Sequence, residues 1–325
     1  MTRSRRNLLV FPALGMAAAL LWTVVGGVNV ARGQDKPVVI KRAHAGSFRA
    51  APNGLIFILA LGSDSGAPRY QRGGKPEKGR SDSIHIIAIN PQLKKATLVG
   101  IPRDSYVPLA PGCGPSPNKI NAAMYFGGLK GQGPDCIVRT VELLSGNRIH
   151  FNYYMLGGFD NLENMVNSLG GVPVNVEPGN VGNTQHVLKD PFSKSTGIRV
   201  GLQTLSGREA LAYSRNRHDY GRGDFARTVH QGQVMVGGLT KARALAFTDP
   251  GKTLSFLRTI FANVKLDIPL IDAFHLGLFA LQIKPADVTN TFLDGTTGPS
   301  PAGSSVFLVD PGLILANVAD DGVID

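Results

Sequence analysis

From residue 54 onward, short apolar runs alternate with stretches of helical period. "GLIFILALG" (54–62) is apolar throughout and of strand length, the pattern of a strand covered on both faces. "IHIIAI" (84–89) and "ATLVGI" (96–101) are two further strands. The Asn-Pro that opens the intervening "NPQLKK" starts a turn, which predicts an antiparallel hairpin. Helical period runs through "PDCIVRTVELLS" (134–145) and "FDNLENMVNSL" (159–169), where Leu162, Met165, Val166 and Leu169 share a face. Strands are expected at "IHFNYYML" (149–156) and "VPVNV" (172–176), on either side of the second helix. Ser206-Gly207-Arg208-Glu209 is a capping box that opens the helix "SGREALAY". Beyond residue 235 the pattern weakens, with two or three helices expected between 234 and 283 and a strand near "SVFLVD" (305–310). No internal repeat is visible. The sum is an α/β fold, an α-β-α sandwich around a mixed central sheet.

Residues 8–30, "LLVFPALGMAAALLWTVVGGVNV", are uncharged, apolar and long enough to cross a bilayer, and Arg3, Arg5 and Arg6 precede them. This predicts one N-terminal transmembrane helix acting as an uncleaved signal anchor. By the positive-inside rule residues 1–7 form a cytoplasmic tail. Residues 31–53 read as a polar linker, and residues 54–325 as one extracytoplasmic domain of a single-pass protein of the cytoplasmic membrane. That placement changes the meaning of the charge. A formal net charge of +11 points to polyanionic partners. Outside the membrane these are phosphorylated substrates or lipid headgroups, and nucleic acid is excluded. Cys113 and Cys136 are both exported, and an even count in an oxidising compartment predicts a disulfide. On the chain-entropy view it would stabilise the fold by roughly 3 kcal/mol.

The predicted hairpin gathers candidate chemistry. Its open end holds Asp82, before the first strand, beside Arg103 and Asp104, after the second. Asp64 joins them if the 54–62 strand runs antiparallel to 84–89. Two aspartates without histidine or cysteine suit a hard cation such as Mg²⁺; the alternative is that they only cap turns. A second cluster is "YSRNRHDYGRGDFARTVHQGQ" (213–233), with four arginines and two histidines. Tyr213, Arg215 and Arg217 alternate, so an extended backbone would aim them to one side. Asp224 reads as an N-cap, with Arg227 and Gln231 four apart on one helical face. Arginine forks capture phosphate oxygens in pairs, so the set reads as a diphosphate clamp, the alternative being a solvated basic surface. There is no P-loop, no GxGxxG after a strand, no HExxH and no GxSxG. Scattered histidines make a zinc site improbable, and His85 and His150 read as structural.

Four segments together resemble the LytR–CpsA–Psr (LCP) family: "LGSDS" (61–65), "RSDS" (80–83), "IPRDSYV" (101–107) with "NKINAA" (118–123), and "ALAYSRNRHDYGRGDFARTVHQGQ" (210–233). The resemblance implies a phosphotransferase that moves a glycopolymer from a polyprenyl-diphosphate carrier onto peptidoglycan, forming a phosphodiester, with Mg²⁺ at the diphosphate. It implies that Asp64 and Asp82 hold the metal and that Arg103, Arg215, Arg217, Arg227 and Gln231 contact the diphosphate. Arg80, Asp104, Lys119, Asn121 and Asp224 complete the site, with Asp104 and Asp224 as candidate general bases. Rival functions for the same residues are hydrolysis of the diphosphate and non-catalytic glycan binding. The chain departs from the family at Ser83, where threonine is frequent, and at Gly66, where arginine is common. It also departs at His230, where a basic residue usually precedes the glutamine, and at Gly232, which is expected to interrupt the helix.

Overall fold

The computed structural model describes residues 38–43, 54–64, 79–179, 197–248, 264–267 and 279–324, with isolated positions 188, 251, 276 and 277. The predicted tail and anchor, residues 1–30, lie outside the described residues. Among the described residues no helix is long and apolar enough to cross a membrane.

Strand β1 covers Val38–Arg42, β2 Ile56–Ser63, β3 Ser81–Asn90 and β4 Lys95–Gly100. The short strands β5 (Tyr106–Val107) and β6 (Asn118–Lys119) lead into helices α1 (Ile120–Gly128) and α2 (Gly133–Leu144). Then come β7 (Tyr153–Gly158), α3 (Phe159–Ser168), β8 (Val172–Val176), β9 (Gly201–Leu205), α4 (Gly207–Arg215) and α5 (Asp224–Thr248). The chain ends with β10 (Val264–Asp267), β11 (Val288–Phe292), β12 (Gly295–Ser300), β13 (Gly303–Leu308) and α6 (Pro311–Asp321).

The central sheet has seven strands in the order β10-β1-β7-β2-β3-β4-β11. It is mixed: β7 runs parallel to β2 and β11 parallel to β4, while β2–β3 and β3–β4 are antiparallel. The apolar run of β2 is explained by cover on both faces. Leu55, Phe57, Leu59 and Leu61 pack on one side with Met124, Ile137, Val141, Leu315 and Val318 of α1, α2 and α6. Ile56 and Ile58 pack on the other with Tyr153 and Ile283, flanked by Leu239 of α5. A satellite core joins α3, α4 and α5 to the β8–β9 hairpin through Val166, Val172, Val174, Tyr213 and Val234.

The structure corrects three expectations about elements. Residues 38–42, part of a segment read as linker because it is polar and basic as a whole, form β1 between β10 and β7. Five residues flanked by charge give no periodic signal, and only pairing on both sides makes them a strand. The strand expected over 149–156 begins at Tyr153. Ile149 and Phe151 are core residues before it, and Asn152 Oδ1 takes the Phe57 N–H at 2.7 Å to align the chain for pairing. Lastly, Gly232 does not end the helix, and α5 continues unbroken to Thr248. A Cβ at Gly232 would overlap the amide of Asn290, so the glycine lets the helix lie against β11. This helix of 25 residues covers the start of 234–283, where two or three helices were expected; residues 276–277 and 279–282 are helical too, and most of 249–275 lies outside the described residues.

Candidate active site

The β2–β3 pairing is antiparallel, as the convergence of Asp64 required. Gly62 faces Ser83 and Ser63 faces Ser81, so a bulge falls at Asp82. Bulges re-aim side chains at sheet ends. Asp64 is nearly buried, and its Oδ1 accepts the Arg80 N–H at 3.0 Å while its own N–H donates to the Arg80 carbonyl. Arg80 therefore meets the site through its backbone, and its side chain is exposed.

Arg103 Nη1 pairs with Asp82 Oδ1, and Arg103 Nε lies 3.9 Å from Asp104 Oδ2. Asp104 Oδ1 is 3.4 Å from Lys119 Nζ and accepts from Asn121 Nδ2 at 3.4 Å. The segment from Asp104 to Asn121 is locked by backbone bonds, Ile120 N–H to Ser105 and Asn121 N–H to Arg103. On the far wall, Arg227 Nη2 holds Asp224 Oδ2 at 2.7 Å and Arg217 Nη1 stands 3.9 Å from Asp224 Oδ1. Gln231 Nε2 bridges the two walls, donating to the carbonyls of Asp82 (3.3 Å) and Ser214 (3.2 Å). The resulting chain of charge contains four cations, Arg103, Lys119, Arg217 and Arg227, against three carboxylates, Asp82, Asp104 and Asp224.

Electrostatics couple the two walls. Burial works against the Arg103 charge, but Asp82, Asp104 and Asp224 together raise its pKa above the ordinary arginine value. Arg227 is shifted the other way, by burial first and by repulsion from Arg103, with Asp224 resisting. The Nε atoms of Arg103 and Arg227 and the Oδ1 of Asn121 are buried without a hydrogen-bond partner among the described residues. Buried polar atoms are ordinarily satisfied. Two guanidinium donors without hydrogen-bond acceptors, in a cluster where cations outnumber carboxylates, are an arrangement chemically able to receive an anion.

Two local readings are corrected. Tyr213 and Arg215 are not on an extended segment: the capping box of Ser206 and Glu209 starts α4, which runs through Arg215, and the backbone becomes extended only at Asn216. Arg215 lies on the last turn with its guanidinium 4.5 Å over the Phe159 ring at the start of α3. Asp224 is a first-turn residue rather than the N-cap. Gly223 accepts the Arg227 N–H, which leaves the Asp224 carboxylate to pair with arginines.

Asp64 and Asp82, the carboxylates expected to hold a metal, stand at the same end of the β2–β3 pair. Asp64 adjoins Arg80, and Arg80 and Asp82 lie on the outward side of β3's start, on either side of buried Ser81. No group of three acidic, histidine or cysteine ligands exists among the described residues. Two carboxylates still fit Mg²⁺, which is held through one or two carboxylates plus substrate phosphates and water.

Other features are visible only in three dimensions. His85 is fully buried behind the site, with Nδ1 3.1 Å from Ser83 Oγ and Nε2 3.1 Å from the Thr228 carbonyl. It ties β3, which carries Asp82, to α5, which carries Arg227. His150, by contrast, is an exposed side chain 4.0 Å from Glu142. His230 faces away from the charge cluster: it stacks on Tyr213 and meets the edge of Tyr220, each at 4.3 Å, with Nε2 3.8 Å from Glu177. Cys113 and Cys136 form the expected disulfide, fixing the loop before β6 to α2.

Comparison with known proteins gives the chain a family and a fold. The model of the LytR_cpsA_psr family matches residues 28–318. A relative from Enterococcus faecalis, the polyisoprenyl-teichoic acid–peptidoglycan teichoic acid transferase TagU, is 29% identical over 83% of this chain and 78% of its own. The TagU of Bacillus mycoides is 34% identical over 68% of this chain and 63% of its own length. Among solved structures, Bacillus subtilis TagV superposes with a TM-score of 0.64 at 26% identity, covering 83% of this chain and 96% of that one. The family protein YwtF (TagT) with bound octaprenyl pyrophosphate lipid has the same fold, with a TM-score of 0.60 at 23% identity, over 90% of this chain and 99% of that one. By a match that spans most of its length, the chain belongs to the LytR_cpsA_psr family.

Proposed function

We propose that the protein is an LCP-type phosphotransferase that moves a glycopolymer from a polyprenyl-diphosphate carrier onto peptidoglycan, forming a phosphodiester. The observation that carries this reading is the pair of buried guanidinium Nε donors, on Arg103 and Arg227, left without acceptors in a cationic cleft. A diphosphate supplies the missing oxygens. Relatives named for teichoic acid transfer, and a family structure holding octaprenyl pyrophosphate, point to the same ligand class.

Arg103, Arg217 and Arg227 would hold the diphosphate, with Arg215 at the end of α4 and Lys119 on the opposite wall. Their fixed charges offset the negative charge that develops on the leaving polyprenyl phosphate. Phosphoryl transfer depends mostly on positioning and such electrostatic stabilisation. Gln231 keeps the walls in register. Asp104 is the better general base: its contacts are at 3.4 Å or more, whereas Asp224 is held at 2.7 Å by buried Arg227. Asp64 and Asp82 would hold Mg²⁺, which when bound supplies further neutralisation of the phosphate oxygens. The apolar segment 8–30 would anchor the chain in the cytoplasmic membrane with the catalytic domain outside, near a carrier lipid confined to the bilayer.

The test is phosphorus NMR of the full chain in detergent with a polyprenyl-diphosphate saccharide, Mg²⁺ and a peptidoglycan oligomer. A new phosphodiester that depends on acceptor, on Mg²⁺ and on Arg103 is expected. Sugar phosphate released equally well without acceptor would make the protein a hydrolase. A diphosphate that binds and stays intact would make it a glycan-binding anchor.

A further inference from the structure

Beside the charge cluster lies a patch that the reading above does not use. Residues 104–107 alternate in burial. Ser105 and Val107 point inward, so Asp104 and Tyr106 share the outward side. Lys119 is the register partner of Tyr106 and therefore stands on that same face, with Nζ 3.4 Å from Asp104. The C-terminal hairpin docks here: the Val306 N–H donates to the Asp104 carbonyl at 2.9 Å, and Ser105 bridges Val306. Val306 is buried, so its neighbour Phe307 turns outward, 38% exposed, with its ring 5.9 Å from that of Tyr106. The Phe307 ring edge lies over Gly298, which has no side chain to cover it, and exposed Thr296 is its cross-strand partner.

One exposed ring and one half-buried ring, framed by a hydroxyl, an ammonium and a carboxylate, are ill suited to a purely apolar partner and well suited to a sugar. A pyranose presents an apolar C–H face to an aromatic ring and hydroxyls at its rim to polar groups. We propose that Tyr106 and Phe307 form a platform for a pyranose of the acceptor glycan. The proposal rests on the transferase reading above, which makes Asp104 the base. The sugar lying against the residues next to Asp104 is then the one whose hydroxyl Asp104 deprotonates, and that sugar belongs to the acceptor. Thr296 is placed to take one of its remaining hydroxyls, and the diphosphate of the donor lies against Arg103, Arg217 and Arg227.

The experiment measures transfer by the full chain in detergent while acceptor and donor are varied separately. Phe307→Ala and Tyr106→Ala are each expected to raise the acceptor KM about tenfold, with kcat and donor KM little changed. Phe307→Trp is expected to restore the acceptor KM. In a Trp22→Phe background, that tryptophan is the only one in the chain and gives a direct binding signal. Titration with a peptidoglycan saccharide should change its fluorescence even without turnover. Unchanged acceptor KM with transfer intact would overturn the platform, as would no fluorescence response to the saccharide. A rise in donor KM alone would assign the rings to the donor glycan. Weakened association with anionic vesicles at constant KM would assign them to lipid. Failure of the wild-type chain to transfer at all strikes the transferase reading instead, and the fluorescence titration still decides whether the platform binds sugar.

Discussion

Arg227 is almost fully buried, yet one arm of its fork is spent on Asp224 and its Nε has no acceptor among the described residues. A lysine there keeps the charge but loses the planar fork. Arg227→Lys is therefore expected to lower kcat/KM by about 100-fold, with a smaller loss in thermal stability, checked by transfer kinetics and calorimetry. His85 makes a separate prediction. Burial holds its pKa at about 4, well below the ordinary histidine value of 6.5, the hydrogen bond to Thr228 opposing the shift only in part. Between those values the unfolded chain binds the proton and the folded one does not, so stability falls as pH drops from about 6.5 towards 4. The full loss from this residue is roughly 3 kcal/mol, and none of it is felt above about pH 7. Denaturant titrations across this range should show a shallower pH slope in His85→Gln than in the wild type.

At the scale of elements, the long helix α5 carries the far wall of the site, and its fit against the sheet depends on small residues. A Cβ at Gly232 would meet the Asn290 amide, whose Nδ2 donates to the Val229 carbonyl at 3.0 Å. In a free helix, Gly→Ala stabilises by up to about 1 kcal/mol. Gly232→Ala is expected to reverse that sign and destabilise by about 2 kcal/mol, and Asn290→Ala in the same chain should restore part of the loss. Urea melts of the two single variants and the pair would decide it. The capping box of α4 is simpler: Ser206→Ala should cost about 1 kcal/mol by the same measurement, because Ser206 accepts the Glu209 N–H. That helix end also shows what local pattern conveys. The box and the apolar spacing were readable, but the point where α4 gives way to extended chain was not. Alternating Tyr213, Arg215 and Arg217 fit a strand as well as they fit a helix followed by an extended turn.

For the molecule as a whole, β1 is the least expected strand, second from one edge of the sheet but paired on both sides. Because it sits between β10 and β7, a chain starting at residue 54 should unfold at a lower temperature than one starting at residue 33, or fail to yield soluble protein. The four motifs, the antiparallel hairpin, the two-sided cover of β2 and the cysteine pair were legible, because each is a property of neighbours in sequence or of residue type. Chain-local periodicity indicates most of the strands and helices, and residue chemistry indicates that the site is rich in arginine. Tertiary structure alone decided the rest. Gln231 spans from α5 to β3, His85 joins Ser83 to Thr228, and the hairpin sets Phe307 beside Tyr106. These pairs are separated by tens to hundreds of residues, and the close approach of backbones at Gly232 and Asn290 is a matter of shape. Such contacts depend on how sheet and helices pack in space, and that leaves no period in the sequence to read.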